Sequence, residues 1–433
     1  MKNTAMVQVE PITHGLQVEP VTHGLKHLIQ SLGPGIMMAT VAVGGSHLVA
    51  STKAGAIYGW QLVGLILLVN IFKYPFFRAG VQYTMGTGKS LIQGYDEMGR
   101  GYLWLFTVLN SISAVVNTAA LLLFSASLLG YFLPFTLPLT ILAGAVLAAC
   151  LGILLSGHYK ALDGLSKVIM SVLVIATVSA LFIAAEKGSV APADFETPSA
   201  WTLASFGFLI AMMGWMPAPI EISSLTSLWL KCQRKEQVVT LKSALFDFNV
   251  GYIGTSVLAI VFLALGALVL HGNGTELKSS GIGFSHQLVS IYASTIGEWS
   301  RYLIAAVAFF CIFGSTITAI DGYSRALAES QLLLQHKELE QRRYHSAWML
   351  LVGGLAMGIL IFFTSALMTM LNFAMVMAFM TTPVFALLNY RLMIKPDLPK
   401  ELILSRSLKF LSWAGLIYLF GFLSMFIWWK WLM

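Results

Sequence analysis

Eleven stretches of this chain are apolar over a length sufficient to cross a bilayer, which takes about 20 residues in a helix. They fall near residues 33–57, 61–85, 102–132, 135–157, 162–185, 201–230, 245–271, 298–331, 345–363, 365–393 and 408–431. No other feature limits the fold as strongly. With 57% hydrophobic and 10% charged residues, the chain has too little polar surface to hide these runs in a soluble globule. Inside lipid a helix satisfies its backbone groups within one segment. The sequence therefore predicts an all-α integral membrane protein with eleven transmembrane helices.

A formal charge of +7 could suggest nucleic acid, but the placement of the charges points to the membrane instead. Of the 26 Lys and Arg, 19 lie in or beside the segments on the amino-terminal side, 4 on the opposite side and 3 within spans. That asymmetry is the positive-inside pattern. It predicts a multi-pass protein of the cell (inner) membrane with a cytoplasmic amino terminus and an external carboxyl terminus. No nucleic-acid partner is expected. The first run follows about thirty more polar residues and has no small-residue cleavage site, so it reads as a targeting signal in its own right. Residues 1–30 form a tail with the tandem nonapeptide QVEPITHGL and QVEPVTHGL, bearing His14 and His23, and are expected to be disordered. Residues 31–393 form the core, and 394–433 a cytoplasmic loop and the eleventh helix. Cys150, Cys232 and Cys311 lie in separate helices and imply no disulfide framework.

Two spans carry breaks. The first is interrupted at VGGSH by Gly44, Gly45, Ser46 and His47, and the sixth at MMGWMPAPIE by Pro217 and Pro219. Non-helical backbone at membrane depth persists only where it lines protein or a cavity. Each break lies in the first helix of a five-helix unit, about 31–186 and 200–393, and the odd count inverts the second unit. Paired interruptions in two inverted halves mark a secondary transporter's binding site. Gly44 and Gly45 let the backbone approach a ligand, while Ser46 and His47 offer polar contacts.

The run GPGIMMATVAVGGSH followed by ASTKAGAIYGWQL resembles the first helix of the Nramp divalent-metal transporters, and MMGWMPAPIEISS resembles their sixth-helix motif. TGKSLIQGY after the second span extends the likeness. The resemblance implies a LeuT-type inverted repeat of five plus five helices, broken in the first and sixth, working by alternating access. The family's first-helix Asp-Pro-Gly-Asn falls on Gly44, Gly45, Ser46 and His47, so the carboxylate ligand is missing. The sixth-helix Met is kept as Met216, the carbonyl-donating position becomes Met213, the His of Met-Pro-His becomes Ala218, and the tenth-helix Gln falls on Thr381.

Two substrates stay open. In one, His47 and Met216 form a softer divalent-metal site with Glu221 supplying charge, an acid inside a span being functional by default. In the other, the Gly44 and Gly45 amides hold a small organic anion or zwitterion such as an amino acid. The family's proton route is missing, because the third span has no acid and the ninth no internal arginine. His47, Glu221, Asp247 and Asn117 are the coupling candidates if protons are a co-substrate. Asp321 could pair with Arg325, and Lys73 or Arg78 could pair with Glu221 or snorkel outward. No cofactor is expected. A channel would need a continuous polar file, and no H-E-x-x-H or G-x-S-x-G points to an enzyme.

Overall fold

The structure, a computed structural model, describes residues 25–156, 159–274, 278, 281–336, 341–363, 367–395 and 404–431. The tandem nonapeptide with His14 and His23 lies outside them. Every regular element among the described residues is helical. A short α1 (Leu25–Gln30) precedes α2 (Pro34–Ala42), which leads through a π-helical turn at Ser46–Ser51 into α3 (Thr52–Tyr58). Then come α4 (Val63–Thr87), α5 (Leu91–Met98), α6 (Arg100–Leu129), α7 (Leu139–Ser156) and α8 (Tyr159–Lys187). The second half comprises α9 (Leu203–Trp215), α10 (Ile222–Glu236), α11 (Leu241–Val269), α12 (Gly281–Ile296), α13 (Arg301–Gln335), α14 (Gln341–Phe363), α15 (Leu367–Met393) and α16 (Arg406–Trp431).

Among the described residues nine helices are long and apolar enough to span, and the pair Pro34–Ala42 and Ser46–Tyr58, bent by 49°, makes a tenth. The sixth predicted span is divided between α9 and α10, each too short to cross alone. The helices α5 and α12 lie between the predicted spans. Both are short, and α5 is launched by a capping box in which Ser90 and Gln93 exchange hydrogen bonds.

Burial separates an inner group of helices from an outer one. The most apolar stretches of α6 and α13 are 78% and 67% buried, whereas those of α7, α14 and α16 are 28% buried and turn side chains such as Phe362 and Phe410 outward. The inner helices pack on the broken spans. Contact between α3 and α11 is possible because Gly55 and Gly266 lack side chains: a Cβ on Gly55 would lie 1.9 Å from the Leu263 carbonyl oxygen, and one on Gly266 2.1 Å from that of Thr52. Small residues at such crossings let backbones touch, the usual basis of helix association in lipid. Farther along the first span, Asp247 of α11 accepts hydrogen bonds from the Gly33 and Gly35 amides at 2.9 and 2.7 Å. It thereby caps the start of α2.

Candidate functional site

Each break frees backbone groups that must find new partners. In the first span the helix ends at Ala42, and Val43 turns out of it (φ −80°, ψ 85°). The Val43 carbonyl is met by α13, whose Ser315 hydroxyl lies 2.9 Å away and whose Cys311 thiol lies 3.2 Å away.

In the sixth span the prolines act through what they lack. Within a continued helix the Met213 carbonyl would accept from residue 217, but Pro217 has no N–H, and the same holds for Trp215 and Pro219. Helix α9 stops at Trp215, Met216 is extended, the Met216–Pro217 peptide is cis, and regular helix resumes at Ile222. Three carbonyls at the break, that of Met213 among them, are taken by a side chain from another element. Lys73, fully buried on α4, donates from Nζ to the oxygens of Met213 (2.7 Å), Gly214 (3.0 Å) and Ala218 (3.2 Å).

A small cavity lies between the two breaks. The first break contributes Gly44 and Gly45, the second Trp215 and Pro219, and the inner helices Asn117 of α6 and Tyr323 of α13. Gly45 is glycine because Trp215 lies against it: a Cβ there would sit 2.6 Å from the indole ring. The polar lining forms one chain. Trp215 Nε1 donates to Asn117 Oδ1 (3.2 Å), Asn117 Nδ2 donates to the Tyr323 hydroxyl (2.8 Å), and that hydroxyl donates to Glu221 Oε1 (3.3 Å). Glu221 is 1% exposed, and its second oxygen, Oε2, has no hydrogen-bond partner among the described residues. A buried carboxylate oxygen without a donor is costly, so its presence calls for a ligand, a water or a proton.

The residues singled out from the sequence divide accordingly. Gly44, Gly45 and Asn117 face the cavity, and Glu221 stands behind it through Tyr323. His47 does not line it. Its Nε2 lies 2.9 Å from the Thr255 carbonyl, which only accepts, so Nε2 carries the hydrogen, and Nδ1 lies 2.6 Å from Ser46 Oγ. Both ring nitrogens are turned to protein groups and away from the cavity. The expected set of His47, Met216 and Glu221 is thus not assembled around the cavity, because the π-helical turn directs His47 toward α11, where its ring meets Phe262 edge-on. Among the described residues no group of three or more His, Cys, Asp or Glu side chains could hold a metal ion.

Ser46 is also within 2.8 Å of the Ala42 carbonyl, and Thr381 bonds back to the Ala378 carbonyl of its own helix at 3.1 Å. Met213 receives Lys73 on its carbonyl and the Tyr418 hydroxyl on its sulfur, while Ala218 contributes only its carbonyl. Met216 is fully buried at the end of α9. Asp321 pairs with Arg325 at 2.6 Å and accepts from Trp229, away from the cavity. Arg78 turns to the Tyr74 hydroxyl. Three groups were not foreseen in their present roles: Lys73 as the ligand of the sixth-span carbonyls, and Trp215 and Tyr323 as cavity walls. Trp215 lies inside the interrupted motif itself, which was the available signal. Tyr323 stood two residues from the more conspicuous Asp321.

Residues 35–429 match the family model described as natural resistance-associated macrophage protein-like, Nramp. An uncharacterised protein of Pasteurella multocida is 49% identical over 400 residues, covering 92% of each chain. A mutant of the Eremococcus coleocola manganese transporter superposes with a TM-score of 0.69 at 15% identity, over 95% of this chain and 88% of that one. MhsT in complex with L-phenylalanine superposes with a TM-score of 0.58 at 13% identity, over 90% and 98%. These two likenesses are of fold.

Proposed function

This chain belongs to the Nramp family, whose members are transporters and not enzymes, and from that premise we propose that it moves a metal ion across the membrane by alternating access. The cargo sits in the cavity between the two breaks, among the neutral groups of Asn117 and Tyr323 and the backbone of Gly44 and Gly45, and keeps part of its water shell. The observation that carries this reading is the unpartnered Oε2 of Glu221, a buried carboxylate that supplies the countercharge Gly44 cannot. The family and the shared fold with a manganese transporter support a metal as cargo.

Of the coupling candidates, Glu221 and Asn117 belong to the cavity chain, whereas Asp247 caps α2 and His47 is held by Ser46 and Thr255. Glu221 is the group in this chain that would carry a coupled proton. Uptake of Mn²⁺, Mg²⁺ and Zn²⁺ into proteoliposomes tests the assignment: Glu221→Gln lowers metal uptake by about tenfold or more, through the loss of one buried countercharge, and His47→Ala does not. Wild-type vesicles that pass none of these ions reject it.

A second reading, a small organic anion or zwitterion held at Gly44 and Gly45, is favoured by one specific observation. Among the described residues no carboxylate, imidazole or thiol is part of the cavity wall itself. Amino-acid uptake by the same vesicles, abolished by Gly44→Val and not by Glu221→Gln, selects it over the metal. Under either reading the amino terminus is cytoplasmic and the membrane is the cell (inner) membrane.

A further inference from the structure

The three carbonyls around Lys73 make up a complete ligand set. Their oxygens lie 2.7, 3.0 and 3.2 Å from one nitrogen, and Lys73 has no exposed surface. An ammonium has three N–H donors and no acceptor, so each donor meets one carbonyl. The carbonyls are free for reasons local to the break. The residue four after Met213 is Pro217, which has no N–H, and the amide of Ile222, four after Ala218, donates instead to the Pro219 carbonyl at 3.1 Å. Converging backbone carbonyls that replace a hydration shell are the ligands by which proteins hold a small monovalent cation in a membrane.

We infer that Lys73 is a tethered cation, permanently filling a monovalent-cation site at the break of the sixth span, and that it removes any requirement for soluble sodium or potassium to hold α9 and α10 in their broken arrangement. Its stem reaches the break from α4, which packs against α10. The carbonyl oxygens of Met213, Gly214 and Ala218 are then closed to the cargo, so they contribute nothing to cargo selection. The inference does not depend on which cargo the cavity takes, since Lys73 is not among the residues that line it.

The test uses purified full-length protein in detergent and reads thermal melting and saturable binding of radiolabelled sodium. Wild type melts at one temperature in sodium, potassium and choline chloride of equal strength and binds no sodium saturably. Lys73→Ala opens the carbonyl set. It melts lower in choline, and methylammonium, sodium or potassium restores about half of the loss or more with a saturable dose response, as expected of a ligand bound to the folded state. Lys73→Met, which fills the space with a neutral chain, melts lower and is not restored. A Lys73→Ala protein that stays monodisperse but responds no better to methylammonium, sodium or potassium than to choline overturns the inference. So does a wild-type protein that binds sodium saturably or melts higher in sodium or potassium than in choline. That wild-type measurement decides the matter even where Lys73→Ala does not fold.

Discussion

Tyr323 accepts from Asn117 and donates to Glu221, so a single hydroxyl joins the cavity wall to the buried acid. Tyr323→Phe leaves the Asn117 amide without its acceptor and Glu221 Oε1 without its donor. Unmade bonds of this kind cost about 1–3 kcal/mol, and the expected outcome is a lower melting temperature together with weaker cargo uptake. A variant that melts lower but transports normally would confine Tyr323 to packing. His47 predicts the opposite division. Its ring is fully buried with both nitrogens against protein groups, so His47→Ala is expected to destabilise by about 2–4 kcal/mol through the cavity left behind and the hydrogen bonds lost. Cargo affinity measured by isothermal titration should stay within about a factor of two, roughly 0.4 kcal/mol. This follows from the direction of the side chain, which its position in a Gly-Gly-Ser-His break did not disclose.

At the scale of elements, the broken first span is held where its glycines let it touch α11. Gly55→Ala brings a Cβ to within 1.9 Å of backbone, where nothing flexible can yield, while Gly64 has open space around its Cα. Overpacking of a rigid contact costs typically about 1–3 kcal/mol and occasionally more. Gly55→Ala is therefore expected to reduce folded yield in size-exclusion chromatography, with Gly64→Ala indistinguishable from wild type. Equal yields would mean that the α3–α11 crossing relaxes without penalty. The positions of both breaks were legible in the sequence, because donor-less prolines and paired glycines act on the backbone locally. The partners that satisfy those breaks were not. Lys73 is 140 residues from Met213 along the chain and Asp247 is 212 from Gly35, distances at which residue type names no contact.

At the scale of the whole molecule, the charge asymmetry predicts which side of the membrane each loop occupies. Asp194 and Lys235 are both exposed and lie on opposite sides in that topology. In a Cys232→Ser background, where the remaining cysteines Cys150 and Cys311 are buried, Asp194→Cys is expected to react with an impermeant maleimide on intact cells. Lys235→Cys should react only after permeabilisation, and the reverse pattern would invert the topology. By itself the sequence determined the solvent, the helical class and the places where two spans break, since run length, hydropathy and missing N–H groups are properties of short segments. Only the tertiary structure decided which side chains serve the cavity. It turned His47 into the packing, set Asp247 to cap α2, gave the sixth-span carbonyls to Lys73 and left Glu221 behind Tyr323 with one oxygen unpaired. The direction of a side chain at a break depends on what packs against it, and that is fixed by helices distant in sequence.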